Sequence, residues 1–113
     1  MRAGAALAML AALSACQPRA PLPARYGIVS IDYCADQMLL GLVPKERIRA
    51  ISFEAASDSA FAAPRAAGLP RLRPQLEDIA MLRPALVVRS YGGRAKLDRQ
   101  LEAMGIKVVQ LGY

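Results

Sequence analysis

Between Tyr26 and Leu111, short runs rich in β-branched residues take turns with segments of helical spacing, and this alternation restricts the fold more than any other feature of the chain. Ile28-Val29-Ser30-Ile31, entered from Gly27, has the composition of a strand. Asp32 follows in the position of a helix cap, with Met38, Leu39 and Leu42 at helical spacing before Pro44 stops the helix. Ile48-Arg49-Ala50-Ile51 predicts a second strand, Leu86-Val87-Val88 a third and Ile106 to Leu111 a fourth. A helix is expected from Gln75 to Leu82, with Leu76, Ile79 and Ala80 on one face. Tyr91-Gly92-Gly93 turns the chain into another helix ending at Met104, with an apolar stripe of Leu97, Leu101 and Met104 and Gly105 as its left-handed cap. Residues 54–74, rich in Ala, Pro and Arg, read as a long surface connection with one short helix near Ser57 to Ala62.

Strands that are separated by helices pair in parallel, because each connection has to cross back over the sheet. The expected class is therefore α/β: a Rossmann-like parallel sheet of four strands with helices on both faces. In such sheets ligands gather at the carboxyl ends of the strands. Those ends carry Asp32-Tyr33-Cys34, Ser52-Phe53-Glu54, Ser90-Tyr91-Gly92-Gly93 and Gly112-Tyr113, so one rim collects aromatics, hydroxyls and acids.

The amino terminus indicates where the chain works. One positive residue, Arg2, precedes an apolar run as long as a signal-peptide core, and Leu13-Ser14-Ala15-Cys16 closes it in the order of a lipoprotein processing site. The run is too short to span a bilayer. On this reading residues 1–15 are a signal peptide, and Cys16 carries a lipid that anchors the protein to a membrane at the periplasmic side. An ordinary cleaved signal followed by an unrelated cysteine is the other reading. Residues 16–25, with Pro18, Pro21 and Pro23, form an extended tether. Removal of the first 15 of 113 residues leaves 98, and the loss of Arg2 takes the net charge from +6 to +5. A chain of that length supports one core, not two lobes.

The composition excludes several functions. At 55% hydrophobic and 21% charged residues the chain is globular rather than disordered. Its positive balance would suit nucleic acid in the cytosol, but export removes that partner, and no basic run interleaved with aromatics is present. The sequence contains no histidine, which removes Ser-His-Asp and Cys-His catalysis and the commonest metal ligand. No glycine-rich phosphate loop follows a strand. We therefore expect no enzymatic activity, no resident cofactor and no directly bound metal. With Cys16 lipidated, Cys34 has no disulfide partner. At a helix amino terminus its thiol is either an activated thiolate or a small buried hydrophobe. Asp32 and Asp36 stand one helical turn apart, where capping and solvation account for them.

The stretch from Ile28 to Leu40, then Arg47-Ile48-Arg49-Ala50-Ile51-Ser52, then Leu76-Glu77-Asp78-Ile79-Ala80-Met81-Leu82-Arg83-Pro84-Ala85-Leu86-Val87-Val88, resembles the amino-terminal lobe of periplasmic substrate-binding proteins of iron-siderophore, heme and cobalamin ABC importers. The resemblance covers about residues 26–111, and the domain is set at 26–113. It implies capture of a metal chelate or corrinoid and its delivery to an ABC permease and ATPase complex. It also implies ligand contacts from Asp32, Tyr33, Phe53, Ser90, Tyr91 and Gly92, and a transporter-docking role for Glu77. Four of these residues have a plainer alternative. Asp32 caps a helix, Tyr33 packs at the sheet rim, Gly92-Gly93 makes a tight turn, and Glu77 complements the dipole of a helix first turn. In relatives two lobes close over the chelate; this sequence matches the first lobe, as a truncated product, a fragment or one half of a split or dimerising protein would, and Ala85 stands where relatives often have aspartate. The expectation is that one lobe alone holds its ligand weakly, since burial from one side leaves apolar contact wet. A small envelope lipoprotein that anchors or contacts partners without a small-molecule ligand is the alternative.

Overall fold

The computed structural model describes residues 24–57 and 60–112. The expected signal peptide, Cys16, most of the tether and Tyr113 lie outside the described residues. Five strands and three α-helices follow in the order β1 (Ile28–Ser30), α1 (Tyr33–Leu42), β2 (Ile48–Ser52), β3 (Arg71–Leu72), α2 (Leu76–Leu82), β4 (Leu86–Arg89), α3 (Ala95–Ala103) and β5 (Lys107–Gln110), with short 3-10 turns at Lys45–Arg47, Phe53–Ala56 and Ala63–Ala66.

All strand pairs are parallel, and the sheet order is β3-β2-β1-β4-β5. The α/β class and the four expected strands are thus found, and a fifth strand joins them. The chain builds outward from β1 through β2 to β3, then returns to lay β4 on the opposite side of β1. The β1–β4 seam is consequently the point where the order reverses, the place where such sheets open a crevice at their carboxyl edge.

Side-chain alternation along the strands builds two cores, one on each face. Ile48, Ile51 and Val88 pack with Ala35, Leu39 and Leu40 of α1 and with Ala55, Ala62 and Ala66 from the β2–β3 connection. Val29, Ala50, Leu72 and Val87 face the other way, against Ile79 of α2 and Leu101 of α3. The connection read as surface loop is therefore part of the first core; 3-10 turns flank the helix expected near Ser57 to Ala62, of which residues 58–59 lie outside the described residues and residues 60–62 are not helical. Its alanines are small enough to lie flush on α1, and the Ala62 N–H donates to Gln37 Oε1 at 2.9 Å. Two-residue β3 is too short to show a period, yet Leu72 is buried.

The buried face of α1 is rotated from the expected stripe. Met38 and Leu42 are exposed, while Ala35, Asp36, Leu39 and Leu40 face the sheet. Helix α3 ends as expected: Gly105 adopts φ +77°, its N–H donates to the Glu102 carbonyl, and the Ile106 N–H donates to the Leu101 carbonyl. That is a Schellman closure, and buried Ile106 and Leu101 share one core.

Candidate functional site

The carboxyl edge is pinned by two aspartates of one helix. Asp32 caps α1, its Oδ1 accepting from the Ala35 N–H at 3.0 Å. The same carboxylate crosses the β1–β4 seam, accepting from the Ser90 N–H at 2.7 Å and from the Ser90 hydroxyl. One turn later Asp36 is completely buried. Its Oδ1 accepts from the Ser52 N–H at 2.9 Å, and the hydroxyls of Ser30 and Ser52 donate to it as well. The amino-terminal turn of α1 thereby grips the ends of β2, β1 and β4 in turn. Reading Asp36 as a solvated surface acid is overturned. An aspartate one turn after a cap looks polar and outward in sequence, and only the facing serines at the strand ends make its burial tolerable.

These surroundings move the two carboxyls apart. Burial pushes both upward from the usual aspartate value of 3.8. For Asp32 the bonds from the Ser90 hydroxyl and from the N–H groups of Ala35, Ser90 and Tyr91 outweigh burial, and its pKa falls below that value. For Asp36 burial prevails over the bonds from Ser30 and Ser52, the negative charge of Asp32 adds to it, and its pKa rises.

Two of the three pinned serines carry a rim aromatic next to them. Phe53 follows Ser52 and Tyr91 follows Ser90, and both rings stand exposed at 57% and 56%. With half-buried Tyr33 from the first turn of α1, and with Glu54 and Ser57, they line an open groove of about 530 Å³. Tyr91 is fixed at both ends. Its hydroxyl lies 2.9 Å from Cys34 Sγ, and its carbonyl accepts from Arg89, which is buried and ion-paired with Asp98. The contact with Cys34 raises the phenol's pKa above its usual 10.0. Cys34 is half-buried and hydrogen-bonded, so it is neither an isolated thiol nor simple core filling.

Of the expected ligand residues, Tyr33, Phe53 and Tyr91 meet in this groove, and Asp32 and Ser90 lie beneath them with their polar atoms bonded to each other. Gly92 is exposed beside Tyr91, and Gly93, at φ +87°, makes the turn toward α3. Glu77 is exposed on the first turn of α2, at the same edge of the sheet, in a shallow dent shared with Arg94 and Lys96. Sequence reasoning missed Ser57, Arg73 and Arg94. Ser57 follows a 3-10 turn with no sequence signature, and Arg73 follows the unpredicted β3.

Three solved structures resemble this chain in fold. The chain is similar to the periplasmic heme-binding protein RhuT from Roseiflexus sp. RS-1 (23% identity, TM-score 0.56, covering 78% of this chain and 34% of that one). It is also similar to the periplasmic heme-binding protein BhuT in complex with two hemes (22%, 0.53, 80% and 35%) and to a periplasmic heme-binding protein from Pseudomonas aeruginosa (22%, 0.52, 80% and 32%). The fold is that of a periplasmic binding-protein lobe. The chain spans about a third of the length of each of these proteins. No family model matches the sequence, and comparison with curated proteins gives no match. In this lobe the aromatic groove occupies the carboxyl edge, beside the strand-order reversal.

Proposed function

We propose that this chain is the substrate-binding part of an ABC importer for a metal chelate that presents flat conjugated faces, with heme, a ferric siderophore and a corrinoid as the candidate cargoes. Its task is capture and delivery rather than catalysis. The observation that carries this reading is the groove lined by Tyr33, Phe53 and Tyr91 on the edge of a binding-protein lobe; aromatic side chains suit stacking against a planar ligand. Asp32 and Ser90 contribute by holding the two sides of the seam together, and the exposed Gly92 lets backbone approach the ligand. The fold likeness to proteins described as periplasmic and heme-binding supports the same reading.

Two further parts of the proposal concern placement. Glu77, exposed at the groove end of α2, is the acid that meets arginines of the permease. Cys16 carries the lipid that keeps the protein at the periplasmic face of a membrane. The test is a titration of the full chain with hemin, a ferric catecholate and cyanocobalamin, read by absorbance and tyrosine fluorescence. Saturable binding of one chelate supports the proposal. A flat response to all three leaves the anchoring role without a ligand. In cells, labelled fatty acid should enter the protein and be lost in Cys16→Ser, and Glu77→Lys should impair uptake while leaving chelate affinity unchanged.

A further inference from the structure

Beside the aromatic groove, and sharing Phe53 and Glu54 with it, lies a second dent of about 420 Å³ lined by both Arg73 and Arg94. Arg73 stands just beyond β3, and Arg94 stands at the start of α3, so two elements far apart in sequence bring their guanidinium-bearing residues to one hollow. Neither guanidinium has an ion pair or a hydrogen bond among the described residues, whereas the other charged residue at the rim's base, Arg89, is paired with Asp98. Gln75 and Ser52 also line the dent, and Glu54 supplies its one acid. Two cations converging without salt-bridge partners repel each other, and an anion bound between them would relieve that repulsion. Guanidinium forks match carboxylates in a planar, bidentate way.

Resting on the capture of a flat chelate proposed above, we infer that this second dent takes the carboxylate-bearing edge of that ligand, and that Arg73 and Arg94 set its specificity. The ligand body lies on Tyr33, Phe53 and Tyr91, and its acidic substituents pass Phe53 into the hollow. The cargo is thereby narrowed to a planar chelate that carries free carboxylates. A corrinoid, whose ring periphery ends in amides, gives the arginines no carboxylate to hold.

The experiment compares hemin with hemin dimethyl ester, in the same mild detergent, on the full chain and on Arg73→Gln, Arg94→Gln and the double variant. Arg73 is exposed, Arg94 is partly buried, and neither side chain has a partner among the described residues, so unfolding midpoints should move little, and this is checked alongside. The diacid should bind at least about tenfold more tightly than the diester, and the double variant should lose that preference with about tenfold weaker binding of the diacid alone. Equal affinity of the diacid and diester for the unaltered chain overturns the inference and leaves capture of a flat chelate standing. So does a preference that survives in the double variant. Failure of both porphyrins to bind overturns this inference, while binding of another chelate in the earlier titration decides the broader reading separately.

Discussion

Asp32 and Ser90 are 58 residues apart in sequence and are joined twice, through the backbone N–H and the hydroxyl of the serine, across the seam where the strand order reverses. One carboxylate thus does two tasks, closing the amino terminus of α1 and tying β4 to β1. Replacing it with alanine removes a helix cap and leaves the Ser90 N–H without its acceptor. The two losses together should cost about 2–4 kcal/mol. Urea unfolding of Asp32→Ala measures this. Asp32→Asn keeps an acceptor oxygen and should recover part of the loss, and equal destabilisation by both variants would show that the charge, not the geometry, matters.

The pair Asp32 and Asp36 should give the protein a stability profile with two opposing limbs. The raised pKa of Asp36 means that the folded state binds its proton more tightly than the unfolded chain does, so stability rises as pH falls from that raised value toward 3.8. The lowered pKa of Asp32 has the opposite sign: its contribution is complete above 3.8 and is lost as pH falls through the depressed value. Asp36→Asn should remove the first limb and keep the second. Unfolding free energies measured from neutral pH down to the acid limb, for both chains, test the assignment, and an unchanged upper limb in Asp36→Asn would refute it.

The strand–helix alternation was readable because each β-branched run is bounded by a cap, a proline or a glycine, and Gly105 closes α3 as its position requires. Rim aromatics were readable for a related reason: Phe53 and Tyr91 directly follow strands, and residues just after parallel strands gather at one edge. Position in sequence does not say which polar residues are buried. Asp36 resembles any surface acid of a helix until Ser30 and Ser52 are seen to face it, and its burial turns α1 so that Met38 and Leu42 point outward. Arg73 and Arg94 meet only because the two-residue strand β3 and the start of α3 reach the same edge, a long-range coincidence with no local signature.

The contact between Cys34 and Tyr91 should be visible in the titration of the phenol. The neighbouring thiol raises the Tyr91 pKa above 10.0, so Cys34→Ala should bring it back down toward that value. Ring-resonance NMR across the alkaline range resolves Tyr91 from the other three tyrosines of the chain. An unmoved titration would mean that the 2.9 Å contact does not persist in solution. The same variant frees the hydroxyl end of the ring while Arg89 still holds its carbonyl, so chelate affinity should fall less than in Tyr91→Ala, which removes the ring itself.

Phe53 separates binding from folding most cleanly. The side chain is 57% exposed and belongs to neither core, so Phe53→Ala should change stability by no more than about 0.5 kcal/mol. It nevertheless stands between the aromatic groove and the arginine dent and lines both. Losing one ring face against a planar ligand removes about 0.5–1.5 kcal/mol beyond area burial, which weakens binding by up to about tenfold. Leu101→Ala is the converse control: it opens a cavity in the core between the sheet and α3, should cost about 2–5 kcal/mol, and leaves the groove lining intact. Paired titration and unfolding measurements on the two variants should therefore show affinity lost without stability in the first and stability lost without affinity in the second. If Phe53→Ala binds every chelate as the unaltered chain does, the groove is not where the ligand sits.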